Sequence, residues 1–258
     1  METVREPAVA GSFYPASPAE LGALVDALLA SPSRTITHSR RPKALIVPHA
    51  GYRYSGAIAA SAFALVAPYA REIERVVLVG PTHRVYVDGL VAPGATQLRT
   101  PLGSVAVETP VGFPASAVAH EREHSLEVEL PFLHRVAPLA RVVPLIGSSV
   151  PADQVGGVLE QLWGGPETLI VISSDLSHHE PYAQGRAHDE QTVARILAFE
   201  PTLSGDDACG AIGINGLAWL ARRKRLAIEL VDLKSSGDTA GSRTEVVGYG
   251  AFALYEAA

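Results

Sequence analysis

Residues 43–49 read KALIVPH, and the chain continues as AGYRYSG to residue 56. The uninterrupted apolar run Ala44-Leu45-Ile46-Val47 reads as a short strand covered on both faces. Pro48, which has no amide hydrogen, ends its ladder, and His49 follows at the carboxyl end. The same form returns in RVVLVGPTH, which ends at His83, and in TLIVISSDLSHH, which ends at His178 and His179. Three buried runs that deliver imidazole at the same end predict parallel strands with a histidine-lined rim.

Helical patterns separate these runs. In PAELGALVDALLA (18–30) Leu21, Leu24, Val25, Leu28 and Leu29 share one face, with Ser17 and Ser31 as bounds. A Ser/Arg-rich linker follows to Pro42. After AGYRYSG, read as a loop, a helix is expected from Ile58. Strand 43–47, this helix and strand 75–79 form the crossover unit of an α/β sheet. Residues 86–113, rich in Gly and Pro, predict short strands and turns. REHSLEVELPFLHRVAP (122–138) predicts a helix with Leu126, Leu130 and Leu133 on one side, despite Pro131. ARVVPLIGSS reads as another buried strand, and PADQVGGVLEQLW, residues 188–199 and ACGAIGINGLAWLARR read as helices. Segments 226–233 and 245–255 alternate as strands, the last at or near a sheet edge where it can pair across a homodimer. The whole predicts an α/β fold: a single domain over 1–258 with a central, mostly parallel or mixed sheet flanked by helices.

Composition narrows the function. The 258 residues carry a formal net charge of −6, and the basic residues are scattered. The one basic cluster, RRKR at 222–225, ends an apolar helical pattern, where it complements the helix dipole, so nucleic acid is not an expected partner. The segment METVREPAVAGSFYP carries Glu2, Arg5 and Glu6 and lacks the apolar stretch of a signal peptide. No run approaches the roughly 20 residues of a membrane span, so a soluble cytoplasmic protein is expected. Cys209 is the single cysteine, which excludes an internal disulfide and leaves packing, redox chemistry or metal ligation.

Ligands of open α/β sheets bind outside the carboxyl ends of the strands, so His49, His83, Asp175, His178 and His179 form the candidate constellation. Imidazole and carboxylate suit Fe, Zn, Cu and Ni. A lone histidine at a strand end more often bonds to a nearby carbonyl; three such ends on one rim favour a metal. Cys209 lies in GDDACGAIGING, a Gly-rich turn entering a helix. The helix N-terminus is expected to lower its thiol pKa and prepare a nucleophile or ligand, although a small buried side chain explains the position as well. His124 and Glu127, with Glu123 four residues before the latter, are expected on one helix face, supporting the metal ligands from behind. Tyr52, Arg53 and Tyr54 beside His49 offer donors to an anionic or phenolic substrate, or are ordinary surface residues.

Several motifs carry a family resemblance: REPAVAGSFYP at 5–15, PHAGYRYSG at 48–56, GPTH at 80–83, EHSLEVELPFL at 123–133, SSDLSHH at 173–179 and CG at 209–210. In order and over essentially the whole chain, they resemble the Memo family, known in prokaryotes as AmmeMemoRadiSam system protein B. That family is similar in fold to the class III extradiol ring-cleaving dioxygenases, which open catechols with non-haem Fe(II) and oxygen. The resemblance implies His49, His83 and Cys209 as metal ligands, His178 as the acid/base residue and Asp175 beside it. It implies Fe(II) first, with Cu or Zn as alternatives, and a small phenolic or enediol substrate. It also implies a link to a radical S-adenosylmethionine protein and an AMMECR-type protein. Cys209 stands where the related dioxygenases use a carboxylate, and a thiolate moves preference toward Cu(I), Zn or an electron-rich iron. A non-catalytic metal-binding or peptide-binding module and a zinc-dependent hydrolase stay open beside the oxidoreductase.

Overall fold

The structure, a computed structural model, describes residues 3–31 and 40–256. Most of the linker read before Pro42 lies outside the described residues. The chain opens with strand β1 (Val4–Arg5) and helix α1 (Pro18–Ala30), whose N-terminus Ser17 caps through its side chain. β2 (Ala44–Val47), α2 (Tyr52–Phe63) and β3 (Arg75–Pro81) follow. The Gly/Pro-rich middle forms β4 (Leu90–Val91), β5 (Gln97–Thr100) and β6 (Gly103–Ala106). Next come α3 (Ala117–Glu121), α4 (Leu130–Val136), β7 (Arg141–Gly147), α5 (Ala152–Gln161) and β8 (Thr168–Ser173). The last part holds β9 (His178–Glu180), α6 (Tyr182–Leu197), α7 (Ala211–Lys224), β10 (Ala227–Ser235) and β11 (Val246–Tyr255).

One mixed sheet organises the molecule, in the order β10-β11-β2-β8-β3-β7-β4, with β9 paired to β11; β1, β5 and β6 form a small separate sheet. The central strands β2, β8, β3 and β7 are parallel, while β11 runs antiparallel to β2 and β4 antiparallel to β7. Alternate residues feed two cores. Leu45, Val47, Val76 and Leu78 pack with residues of α1, α2 and α4, and Ala44, Ile46, Val77 and Val79 pack with α5 and α7. This two-sided burial is why the central strands read as continuous apolar runs. Their parallel direction brings the segments after Val47, Pro81 and Ser173 to one edge of the layer.

Several expectations are corrected. α2 begins at Tyr52, not Ile58, because Tyr52 is buried and its ring packs against Tyr14 and Phe132, so the expected loop is mostly helix. Residues 122–138 are not one helix. A 3-10 turn at Glu127–Glu129 leads into α4, and Pro131 lies in its first turn, where a missing amide hydrogen costs nothing. β8 stops at Ser173, and His178 opens β9, so His178 and His179 are not at the end of the β8 run. α6 starts at Tyr182, earlier than the expected 188. β11 does lie near the edge, one strand in, but β10 and β2 pair with its two sides, so it does not offer the free ladder expected for pairing with a second copy. Among the described residues no helix is long and apolar enough to cross a membrane.

Candidate metal centre

His49 and His83 arrive from β2 and β3, the two strands that flank β8. Cys209 arrives from the turn before α7. Gly210 permits that approach, because a Cβ there would lie 2.5 Å from the Ser173 carbonyl oxygen and from Ser174 Cβ. Its N–H donates to Ser174 Oγ at 2.8 Å, fixing the start of α7 on the end of β8. Ligand atoms of His49, His83 and Cys209 consequently lie within 4.8 Å of one another, a group that can hold a metal ion.

The His49 ring is wholly buried, and its Nδ1 lies 2.7 Å from Ser173 Oγ. That hydroxyl is also 2.6 Å from the Ser125 carbonyl and 2.9 Å from Glu129 Oε1. A carbonyl can only accept, so the single hydroxyl hydrogen goes to Ser125, and both His49 and Glu129 must donate to Ser173. His49 is then protonated on Nδ1, and Nε2 is left for a metal. Glu129 is then a neutral acid, in keeping with the burial that holds its carboxyl well above the usual range. Burial, followed by the neighbouring His124 and His83, holds His49 well below the usual imidazole range. The ring is a neutral ligand.

His83 is held by a charge instead. Its Nδ1 lies 2.8 Å from Glu123 Oε1, and its backbone N–H donates to Oε2 at 2.6 Å. Glu123 also accepts the N–H groups of His124 and Ser125. Burial acts to raise the Glu123 pKa, but these bonds and the His83 ring outweigh it and hold the carboxyl below its ordinary range. His124 stacks on His83 with ring centroids 4.5 Å apart and meets His49 edge-on at 5.4 Å. Burial chiefly pushes His124 down to about 4. His83, Glu123 and His124 also form a group close enough for an ion. Three hydrogen bonds already end on Glu123 Oε1, which makes that carboxylate a holder of His83 rather than a ligand.

Cys209 departs from expectation. Burial, and then the charge of Asp175, pushes its thiol up to about 12, outweighing the N–H groups of Asp175 and Gly210. The metal-free thiol is protonated, and its Sγ lies 3.3 Å from His49 Nε2, the nitrogen left as an acceptor. A divalent ion would take the place of that shared proton, so the donor set fits a metal whose entry releases one proton. Asp175 orients both partners: Oδ1 accepts the His49 N–H at 2.8 Å, and its own N–H donates to Sγ at 3.3 Å. Burial outweighs these contacts and raises its carboxyl to about 7.

A cavity of about 480 Å³ borders the centre, lined by residues including Phe13, Tyr54, His124, Asp175, His178 and Tyr249. His178 is half-buried, and burial followed by His179 lowers its pKa.

A profile described as Memo-like protein matches residues 5–253. The chain belongs to the Memo family. A MEMO1 family protein of Aquifex aeolicus is 35% identical over 271 residues, covering 95% of this chain and 97% of the relative. One from Caldivirga maquilingensis is 32% identical over 291 residues, covering 98% and 99%. Another, from Archaeoglobus fulgidus, is 32% identical over 269 residues, covering 95% and 97%.

In this Memo-family chain the structure brings together His49, His83, Cys209, Asp175 and His124, with His178, His179 and Tyr54 on the cavity. His179 is exposed and adopts φ +60°, the left-handed region. Arg53 is exposed and lies over the Tyr54 ring at 4.9 Å. Two expected site residues lie elsewhere. Tyr52 is buried and donates its hydroxyl to the Val128 carbonyl at 2.7 Å, so it serves packing. Glu127 does not share a helix face with His124. It accepts from Arg5, the N–H groups of Ala8 and Val9 and the Tyr14 hydroxyl, tying down the REPAVAGSFYP segment. Ser173, Ser125 and Glu129 escaped the sequence reading, although hydroxyls directly after a wholly apolar strand were a usable signal.

Proposed function

We propose that this Memo-family chain binds a redox-active first-row metal at His49, His83 and Cys209. Iron(II) is the first choice and copper the second. The protein then acts as a non-haem oxidoreductase on a small phenolic or enediol substrate with dioxygen. The observation that supports this reading is the convergence of two Nδ1-anchored imidazoles and a half-buried thiol beside a cavity that also receives a further, half-buried histidine. When bound, the metal would supply a Lewis-acidic centre able to exchange electrons with oxygen.

The remaining work falls to the protein's own side chains. Burial favours neutral His178, so the ring is ready to accept a proton from a substrate hydroxyl at neutral pH and to return it later. Tyr54 offers a phenolic hydroxyl on the same cavity, which the Phe13 and Tyr249 side chains also line. Anaerobic purification with elemental analysis, followed by oxygen uptake on a panel of catechols and enediols, tests the reading. Iron or copper with oxygen uptake is expected. Stoichiometric zinc with ester or amide hydrolysis would replace it with a hydrolase, and metal without any turnover would leave a binding module. His178→Ala should abolish uptake and spare metal content; loss of the metal would place His178 among the ligands.

A further inference from the structure

We propose that Glu123 is the positioning residue that sets the metal affinity of this centre, by locking His83 in its Nδ1–H form and fixing a negative charge behind the ring. The inference rests on the ligand set proposed above. Four donors converge on this one carboxylate: the N–H of His83 at 2.6 Å, its Nδ1 at 2.8 Å, and the N–H groups of His124 and Ser125 at 2.8 and 2.9 Å. Three of these are peptide N–H groups, which can only donate, so the group they surround must accept throughout. His83 Nδ1 has no choice but to carry its hydrogen, and Nε2 is the atom that faces an ion.

The two histidines are therefore supported by different chemistry. Behind His49 stands a neutral relay, Ser173 with Glu129. Behind His83 stands a carboxylate whose side chain is 2% exposed, out of reach of screening salt. A hydrogen bond to a carboxylate makes an imidazole a stronger donor and fixes its orientation. Charge favours the same conclusion. A thiolate at Cys209 would offset one charge of a divalent ion, and Glu123, one ring away, offsets a second. Because His83, His124 and Ser125 supply the bonds from their own backbone, Glu123 stays in place before metal arrives, and no reorganisation opposes binding.

The test uses cobalt(II) as the metal, chelator competition for affinity, and ¹⁵N spectra of the histidine rings in the metal-free chain. Wild type should show His83 protonated on Nδ1. Glu123→Gln removes the charge but can keep a carbonyl oxygen at the Oε1 position, so it should weaken cobalt binding by about 10–100-fold with the Nδ1 hydrogen retained, whereas Glu123→Ala, which leaves no acceptor, should also release the ring to its Nε2–H form. A merely structural role would lower the melting temperature and leave the tautomer of the Glu123→Ala chain unchanged. His83 protonated on Nε2 in wild type, or Glu123→Gln binding cobalt as wild type does, overturns the proposal. The wild-type spectrum decides even if the variant fails to fold. Cys209 separates this from the ligand set: wild type should show a cobalt–thiolate band that Cys209→Ser loses, and wild type binding cobalt without such a band would remove Cys209, the single cysteine, from the ligands without touching the His83 result.

Discussion

Asp175 holds a carboxyl that burial raises to about 7, although the His49 N–H donates to it. Its unfolded value is near 3.8. The folded protein therefore keeps a proton that the unfolded chain releases, and stability falls as pH rises from about 4 to about 7, then stays level. Metal-free Asp175→Asn should accordingly melt above wild type at pH 8, with the advantage shrinking toward pH 4 in thermal scans. An advantage that grows in acid would mean the carboxylate is stabilising. Glu129 gives a second test at this scale. If its carboxyl is the neutral donor to Ser173, Glu129→Gln replaces one donor by another and should cost no more than about 1 kcal/mol by denaturant titration.

At the scale of elements, the site depends on how closely α7 rests on β8. Gly210→Ala would set a methyl group 2.5 Å from a backbone oxygen that cannot swing aside. The expected cost is about 1–3 kcal/mol, as for other overpacked contacts, with weaker cobalt binding because Cys209 moves with the helix start. A second tie crosses the same region. His188 on α6 bonds Glu180 of β9 at 2.8 Å and Asp207 of the turn before Cys209 at 3.3 Å. The Glu180 hydrogen bond chiefly raises its pKa, burial opposes it, and the Asp207 bond adds to the rise. A raised histidine pKa contributes stability below the unfolded value of about 6.5 and loses it as pH rises through the folded value. His188→Gln should therefore melt below wild type at pH 6, and the gap should close in alkaline buffer.

Legibility follows from the same elements. The central strands can be read from sequence because both faces are covered, so every residue from Leu169 to Ile172 had to be apolar. His49 and His83 come with them. Residues 123–125 resisted because their conformation is set by a side chain that collects its own loop's amides, a contact with no periodicity. The first turn of α2 resisted because packing of Tyr52 against Tyr14, distant in sequence, recruits it.

Over the whole molecule, Arg5 and Glu127 form an ion pair across 122 residues of chain, with side chains 9% and 1% exposed. Removing one member leaves the other charge buried and unpaired, so Arg5→Ala should cost about 3–5 kcal/mol, measurable by denaturant unfolding. A loss under about 1 kcal/mol would mean that the amides of Ala8 and Val9 hold Glu127 unaided. The pairing of β2 with β8 has a similar reach, since Ala44 lies opposite Ile170. During synthesis, His49 and His83 leave the ribosome long before Cys209; β2 has no sheet neighbour until β8 is made, and until then β3 has only β7, so the two histidine strands are not joined. An ion offered to such an unfinished chain meets two imidazoles and no sulfur. A metal that prefers thiolate would find its full donor set only once Cys209 has joined the two strands, so loading at the proposed site would be a late step of maturation rather than a guide to folding.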